Sequence, residues 1–220
     1  MTEYLNSFVG DGDDTKLLNI LKRIKDGTLK KDVSLLILEG GVSSGKSTLM
    51  EVMKQLSPTS YTTNYEILSR HWPIYKDQLE QLNSHVIFFP EPLSKNIVKI
   101  NELIIKSDYN VRPFYENNLL KLNLGVGIVS HNSHVEIENL SVKSGRKREP
   151  IYLHMPHSFE NNLDRNYIVD QCLKEFEQWE YEQFLLPPKF FTFMLCIKRL
   201  KYNIYKDLRV CLFQACLNRS

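Results

Sequence analysis

One short glycine-rich segment constrains the fold of this chain more than any other feature. Residues 40–48 read Gly-Gly-Val-Ser-Ser-Gly-Lys-Ser-Thr and match the phosphate-loop pattern G-x-x-x-x-G-K-[S/T] at every fixed position. An apolar run at 35–38 has the length of one buried strand, and apolar residues at helical spacing follow the loop as far as Leu56. Strand, turn and helix in this order close backbone N–H groups around an anion at a helix N-terminus. We therefore predict a nucleoside triphosphate site.

The residues of this loop have distinct predicted roles. Lys46 should reach the outer phosphates as a point charge, and the Ser47 hydroxyl should bind magnesium. The alternative is a glycine-rich strand-to-helix turn that matches the pattern by chance. The predicted nucleotide-binding residues are Gly40, Gly41, Val42, Ser43, Ser44, Gly45, Lys46, Ser47 and Thr48.

Composition narrows the class of protein only a little. The chain has 220 residues, enough for one α/β domain with appendages, and its net charge of +2 neither demands nor excludes nucleic acid. No apolar run approaches the roughly 20 residues of a membrane span, and the N-terminus lacks the pattern of a secretory signal. The four cysteines show no C-x-x-C spacing, which favours reduced thiols in an intracellular protein over a zinc site.

Strand and helix patterns alternate around the loop and predict a three-layer α/β fold with a parallel sheet. The nearly unbroken apolar run 85–89 is typical of a strand covered on both faces, and 111–122 has the pattern of a hairpin. The acidic residues 10–14 should cap a helix that starts near Lys16; their spacing only faintly resembles a calcium loop. We divide the chain into an N-terminal helical segment (1–32), a nucleotide-binding core (33–160) and a helical C-terminal extension (161–220).

Three polar positions follow or precede the later strands. Glu91 ends an apolar strand, where a carboxylate can hold magnesium through water and polarise an attacking water; alternatively it is a solvated strand end. Asn132 ends the next strand and can orient water against the γ-phosphate. The basic triplet 146–148 precedes a further strand. Arg146 or Arg148 can then supply an arginine finger, although such triplets are usually solvated loop charge.

Taken in order, these motifs resemble the superfamily 3 helicases, specifically the helicase part of the poxvirus-type primase-helicases of large DNA viruses. The resemblance covers residues 34–160: the phosphate loop, a strand ending in Glu-Pro, a segment with Asp108, Arg112 and Tyr115, a strand ending in Asn132, and the basic triplet. Four features depart from the family pattern. Asn101 stands where relatives have lysine, residues 106–108 replace a Gly-Gly-Asp turn, and Ser-His-Val replaces the proline that follows the asparagine. Glu91 is a single carboxylate where many relatives have a pair.

The resemblance implies an ATP- and Mg²⁺-dependent DNA helicase with an AAA+-like core that acts in viral DNA replication. It also implies a homo-oligomeric ring, a hexamer. We expect this ring to act in the host cell nucleus or cytoplasm and not on a membrane. In such a ring Arg146 or Arg148 reaches the neighbour's nucleotide, and Arg112, Tyr115 and Lys121 face single-stranded DNA in the central channel. Core packing is the alternative role for Phe114 and Tyr115.

Two other functions remain open on the sequence alone. Deoxynucleoside kinases share Glu-Gly-x-x-x-x-Gly-Lys-Ser-Thr and a Glu-Pro at a strand end, which would make Glu91 the general base for a sugar hydroxyl. About 30 residues separate the first helix from that strand here, more than in the kinases, and the arginine-rich lid of those enzymes is absent. The other alternative is a degenerate ring subunit that binds ATP without unwinding DNA.

Overall fold

We analysed a computed structural model of the chain. The residues that the structure describes are 3–10, 13–65, 76–105, 109–111, 113, 115, 117, 119–135, 137, 148–159 and 164–185. Contacts divide the chain into two units, Met1–Phe176 and Glu177–Ser220. Residues 177–185, the end of the last helix, are the described part of the second unit, and the proposed boundary near residue 160 stays a prediction.

Helices and strands alternate along residues 33–105, as the sequence predicts, and strands follow in the described residues before the last helix. The helices are α1 (Glu3–Asn6), α2 (Asp14–Lys25), α3 (Lys46–Leu56), α4 (Lys76–Leu82), α5 (Ser94–Ile105) and α6 (Arg165–Leu185), with a short 3-10 turn at Leu29–Lys31. The strands are β1 (Val33–Gly40), β2 (Ser60–Thr62), β3 (Val86–Phe89), β4 (Tyr109–Val111), β5 (Leu120–Leu122), β6 (Val126–His131) and β7 (Glu149–Met155).

Five of these strands form one parallel sheet in the order β2-β3-β6-β1-β7. Strand β1 lies between β6 and β7 and is buried along its whole length, which explains its unbroken apolar sequence. Strand β6 lies between β1 and β3, so the carboxyl ends of these three strands meet at one edge of the sheet. Ligands of open α/β sheets bind at this edge.

Helices cover both faces of the sheet. On one face, apolar side chains of α4 and α5 pack against alternate residues of β1, β3 and β6 in a single core cluster. Helix α3 contacts β1 and β6, and α2 packs against α3. The predicted three-layer α/β fold is therefore confirmed.

The buried polar residue Asn101 explains one departure from the helicase pattern. It lies on α5 and is fully buried, and the Ser34 hydroxyl on β1 donates a hydrogen bond of 2.7 Å to its side-chain oxygen. A buried amide needs such a partner, whereas a lysine would need a partner for its charge. Asn101 therefore joins helix α5 to strand β1.

The N-terminal helix differs from the sequence prediction. Helix α2 begins at Asp14 instead of near Lys16, and the side chain of Asp13, its N-cap residue, makes no capping hydrogen bond. Asp13 pairs with Lys16 at 3.8 Å instead. The acidic residues thus contribute charge near the helix N-terminus without capping it.

Helix α6 packs its first half against the N-terminal helices. The Glu175 carboxylate accepts hydrogen bonds from the backbone N–H groups of Tyr4 (3.0 Å) and Leu5 (2.9 Å).

Cys172, also on α6, is a buried free cysteine, and burial raises the pKa of its thiol to about 12. In the part of the chain that the structure describes, no helix has the length and apolar character needed to cross a membrane.

Candidate functional site

The phosphate loop connects the buried end of β1 to the first residue of α3. Gly45, at the N-cap of α3, has a φ of +82°, and Ser43 has a φ of +60°. Left-handed backbone suits glycine but is uncommon for serine. The backbone N–H of Phe159 donates a 2.9 Å hydrogen bond to the Ser43 carbonyl and so helps to hold that conformation.

Aromatic rings pack directly against this loop. A Cβ atom at Gly45 would lie 2.6 Å from the ring of Phe8 and 2.9 Å from that of Phe159. The two rings contact each other with centroids 5.4 Å apart. The glycine of the motif is therefore required twice, once by its backbone conformation and once by this packing. Gly41 has open space at the same position.

Lys46 is buried, with 7% of its surface exposed, and its ammonium group lies inside the loop. It donates hydrogen bonds to the carbonyls of Gly40 (2.8 Å) and Gly41 (2.6 Å) and to the Ser44 hydroxyl (3.1 Å). Burial lowers the pKa of Lys46, and the negative charge of Glu91 partly opposes this by favouring the protonated form. The lysine and the carboxylate thus lie within electrostatic reach of each other.

Glu91 follows β3 in a strained turn. Its φ is +46°, a value that glutamate rarely adopts, and strain of this kind concentrates at functional sites. Its backbone N–H donates a 3.2 Å hydrogen bond to the hydroxyl of Ser130, a buried residue of β6. The neighbouring strand therefore positions the turn, while the carboxylate stays exposed.

Asn132 lies one residue beyond the end of β6, between the strands that carry the phosphate loop and Glu91. It is exposed, as an orienting amide must be. His131, just before it, contacts the Ser94 hydroxyl at the start of α5 through Nε2 (3.2 Å) and the Ser133 carbonyl through Nδ1 (2.8 Å). The end of β6 is thus tied to α5.

A cavity of about 340 Å³ opens beside Glu91. One face of α3 and the ends of β2, β3 and β6 form its wall. Its lining residues are Ser47, Met50, Glu51, Lys54, Thr62, Phe88, Pro90, Glu91, Ser130 and Arg165. Ser47 and Glu91, the predicted magnesium residues, therefore line the same cavity.

The oxygen donors of this cavity suit magnesium. Mg²⁺ is usually held by one or two carboxylates together with substrate phosphates and water, and a serine hydroxyl completes such a set. Among the residues that the structure describes, no group of three or more His, Cys, Asp or Glu side chains forms an all-protein metal cage. Ser47 and Glu91 thus fit an ion that arrives with a nucleotide.

Arg165 belongs to this cavity although the sequence analysis assigned it no role. Its guanidinium donates a 2.6 Å hydrogen bond to the Ser47 carbonyl in the first turn of α3. It stands at the first position of α6, 118 residues along the chain from Ser47. In the sequence, Asp164 and Arg165 only faintly resemble the Asp/Glu-Arg-Ser segment of deoxynucleoside kinases.

Arg148 lies at the opposite end of the sheet's strands, where the amino ends of β1 and β7 meet. It precedes β7, whose first residue Glu149 is in register with Val33 at the start of β1, and it donates to the Leu124 carbonyl at 3.4 Å. The length of β1, roughly 23 Å at about 3.3 Å per residue, separates this end from the phosphate loop. Arg148 is therefore remote from its own chain's nucleotide site. Arg146 lies outside the described residues.

Strands β4 and β5 form the predicted hairpin, paired antiparallel from Tyr109 and Leu122 to Val111 and Leu120. Tyr115, in the connection, has a φ of +65° and is 91% exposed, so the alternative that it packs in the core is wrong. The backbone of Lys121 lies in β5. Arg112 and Phe114 lie outside the described residues.

Comparisons with known proteins test the fold. No family matches the sequence, and no curated protein matches it. Among solved structures, the apo C-terminal region of NrS-1 superimposes with a TM-score of 0.51 at 13% identity, covering 80% of this chain and 42% of that one. A second NrS-1 structure gives a TM-score of 0.50 at 14% identity, with the same coverage. The chain has the fold of a P-loop NTPase.

This chain corresponds to less than half of the NrS-1 region that it matches. The JCV helicase is a more distant neighbour, with a TM-score of 0.47 at 11% identity, covering 86% of this chain and 60% of that one. At these identities the similarity concerns the fold, and activity has to be argued from the site.

Proposed function

We propose that this chain is an ATP-dependent DNA helicase or ATPase of the superfamily 3 type, acting in viral DNA replication as a hexameric ring on single-stranded DNA. One observation carries the proposal. The sheet order brings the phosphate loop, Glu91 and Asn132 to the ends of the adjacent strands β1, β3 and β6. This is the arrangement that hydrolysis of a terminal phosphate needs.

Each residue of the site has a task in this proposal. Lys46 exchanges its bonds to the loop carbonyls for bonds to the outer phosphates, which it can do because its ammonium group already lies within the loop. Glu91 accepts a proton from, or polarises, the attacking water, and Asn132 orients that water. The Ser47 hydroxyl and Glu91 would hold magnesium, which would neutralise charge on the phosphates.

The basic residues before β7 act between subunits in this proposal. Arg148 lies at the edge of the sheet opposite its own phosphate loop, so only a neighbouring molecule can bring it to a nucleotide. Closed cyclic symmetry repeats such a contact at every interface. Arg146 or Arg148 would then stabilise charge on the neighbour's γ-phosphate.

The β4–β5 hairpin supplies the DNA contact. The exposed ring of Tyr115 can stack on a base, and stacking tolerates any sequence because every base has a π face. Arg112 and Lys121 would add attraction to the phosphates, which weakens with salt.

Two substitutions separate binding from turnover. Lys46→Ala removes the charge that meets the outer phosphates, so the affinity for Mg·ATP should collapse. Glu91→Gln keeps the size of the side chain but loses its charge, so ATP should bind and persist unhydrolysed. Calorimetric ATP binding and phosphate release measure the two effects. Unchanged ATP binding by Lys46→Ala would refute the nucleotide site, and wild-type hydrolysis by Glu91→Gln would leave that carboxylate a structural role.

The cavity beside Glu91 favours a second candidate, a deoxynucleoside kinase. Its volume of about 340 Å³ lies at the small end of ligand pockets, and a nucleoside held against Met50 and Phe88 could present a hydroxyl to Glu91. Against this, β2 and α4 separate α3 from β3, as the long intervening sequence predicts. The destination of the γ-phosphate distinguishes the two candidates.

A further inference from the structure

Glu39 is a buried carboxylate that neither the phosphate-loop motif nor the helicase resemblance explains. It lies on β1 immediately before Gly40 and has 6% of its surface exposed. A carboxylate in such a position is costly unless hydrogen bonds satisfy its oxygens. Both of its oxygens have partners, and both partners belong to the segment that follows Asn132.

The contacts of Glu39 hold residues 134 and 135 to strand β1. Oε1 accepts a 3.2 Å hydrogen bond from the backbone N–H of Val135, and Oε2 lies 3.0 Å from Nδ1 of His134. The His134 ring also packs against Tyr152 on β7, with ring centroids 5.7 Å apart. The Tyr152 hydroxyl accepts a hydrogen bond of 3.1 Å from the backbone N–H of Ile137.

These contacts tie residues 134, 135 and 137 to the neighbouring strands β1 and β7. Val135 and Ile137 are buried in the core, while the His134 side chain is 70% exposed and lies over the carboxylate.

We propose that Glu39 is a positioning residue that fixes Asn132 relative to the phosphate loop. Glu39 is covalently adjacent to Gly40, and its carboxylate holds the chain two residues beyond Asn132, so one side chain sets the separation of the two parts of the site. This inference rests on the proposed ATP hydrolysis. A misplacement of about 1 Å in such a site can cost on the order of 100-fold in rate.

A double-mutant cycle tests this role. Glu39→Ala should lower kcat for ATP hydrolysis about 10- to 100-fold and leave ATP affinity nearly unchanged. Glu39→Gln, whose amide oxygen can still accept from Val135, should restore most of the loss. In an Asn132→Ala background, Glu39→Ala should cost little more, because its effect passes through the residue already removed.

A second measurement reports the contact without using activity. Hydrogen exchange at the Val135 amide should be slow in the wild type and in Glu39→Gln, and fast in Glu39→Ala. Additive losses of kcat in folded variants, or an equally protected Val135 amide in Glu39→Ala, would overturn the positioning role. A wild-type protein that hydrolyses no ATP would instead overturn the proposed function, and the exchange result would still show whether the contact exists.

Discussion

At the scale of single residues, the site depends on two opposite charges in different environments. Lys46 is buried among loop carbonyls, and Glu91 is exposed in a strained turn whose backbone is held by Ser130. Burial destabilises the ammonium form of the lysine, and the carboxylate stabilises it. The sequence motif predicts a lysine at this position, and the structure shows the two opposing influences on its pKa.

The pKa of Lys46 should therefore respond to Glu91. In Glu91→Gln the stabilising negative charge is lost, so we expect the pKa of Lys46, already below its ordinary value, to fall further. NMR titration of the isotopically labelled lysine side chain measures it. Glu51→Gln is the matched control, since Glu51 lines the same cavity but has no such effect on Lys46. An unchanged pKa in Glu91→Gln would mean that the two groups lie apart.

At the scale of elements, the phosphate loop is held by packing that comes from both ends of the first unit. Phe8 precedes α2 and Phe159 follows β7, and their rings meet at Gly45. An alanine at Gly45 would combine a φ of +82° with a clash against two rings. The loop conformation thus depends on segments far away in the sequence.

Gly45→Ala should lower the free energy of unfolding by about 1–3 kcal/mol, the usual cost of holding a non-glycine residue in such a conformation. Gly41→Ala should change it by no more than about 0.5 kcal/mol, because a Cβ there meets nothing within 4 Å. Urea denaturation of both variants provides the measurement. Equal losses of stability would contradict the proposed support by Phe8 and Phe159.

The hairpin is the second element with a testable role. Tyr115→Ala should weaken binding of single-stranded DNA by about 1–3 kcal/mol, or roughly 5- to 150-fold in Kd, for every sequence tested. Tyr115→Phe should retain most of the affinity. Tyr181→Ala, which removes another exposed tyrosine outside the hairpin, is the control. Fluorescence anisotropy at low salt measures the effect, and equal affinities of Tyr115→Ala and the control would exclude stacking by Tyr115.

The same elements show what sequence reasoning could and could not reach. Strands β1, β3 and β6, helix α3 and the hairpin were predictable because each is marked by local apolar periodicity or by a motif. Contacts of Glu39 with Val135 and of Arg165 with Ser47 join residues separated by 96 and 118 positions. Local patterns carry no signal for such pairs. Helix α2 begins at Asp14, earlier than predicted, and the side chain of its N-cap residue Asp13 makes no capping hydrogen bond.

At the scale of the whole molecule, the proposed function requires more than one chain. Arg148 lies at the opposite end of β1 from its own phosphate loop, and the side chain of Tyr115 is 91% exposed. A ring would bring one subunit's arginine to the next subunit's nucleotide and would gather the hairpins around an axis.

Mixing two inactive variants tests the ring. Lys46→Ala lacks a nucleotide site, and the double variant Arg146→Ala/Arg148→Ala lacks both candidate fingers, whose loss can cost on the order of 10³-fold in rate. Mixed rings contain some interfaces with an intact site and an intact finger, so part of the ATPase activity should return. Mass measurement should show that the chains exchange. No recovery despite exchange would rule out an arginine supplied in trans.

The destination of the γ-phosphate tests the central claim most directly. ATP labelled on that phosphate is incubated with the wild-type chain, magnesium and a mixture of deoxynucleosides, with and without a single-stranded oligonucleotide. We predict that the label appears as inorganic phosphate, faster with the oligonucleotide, and that Glu91→Gln binds ATP without releasing it. Label transferred to a deoxynucleoside, with no response to the oligonucleotide, would contradict the helicase account and establish the kinase.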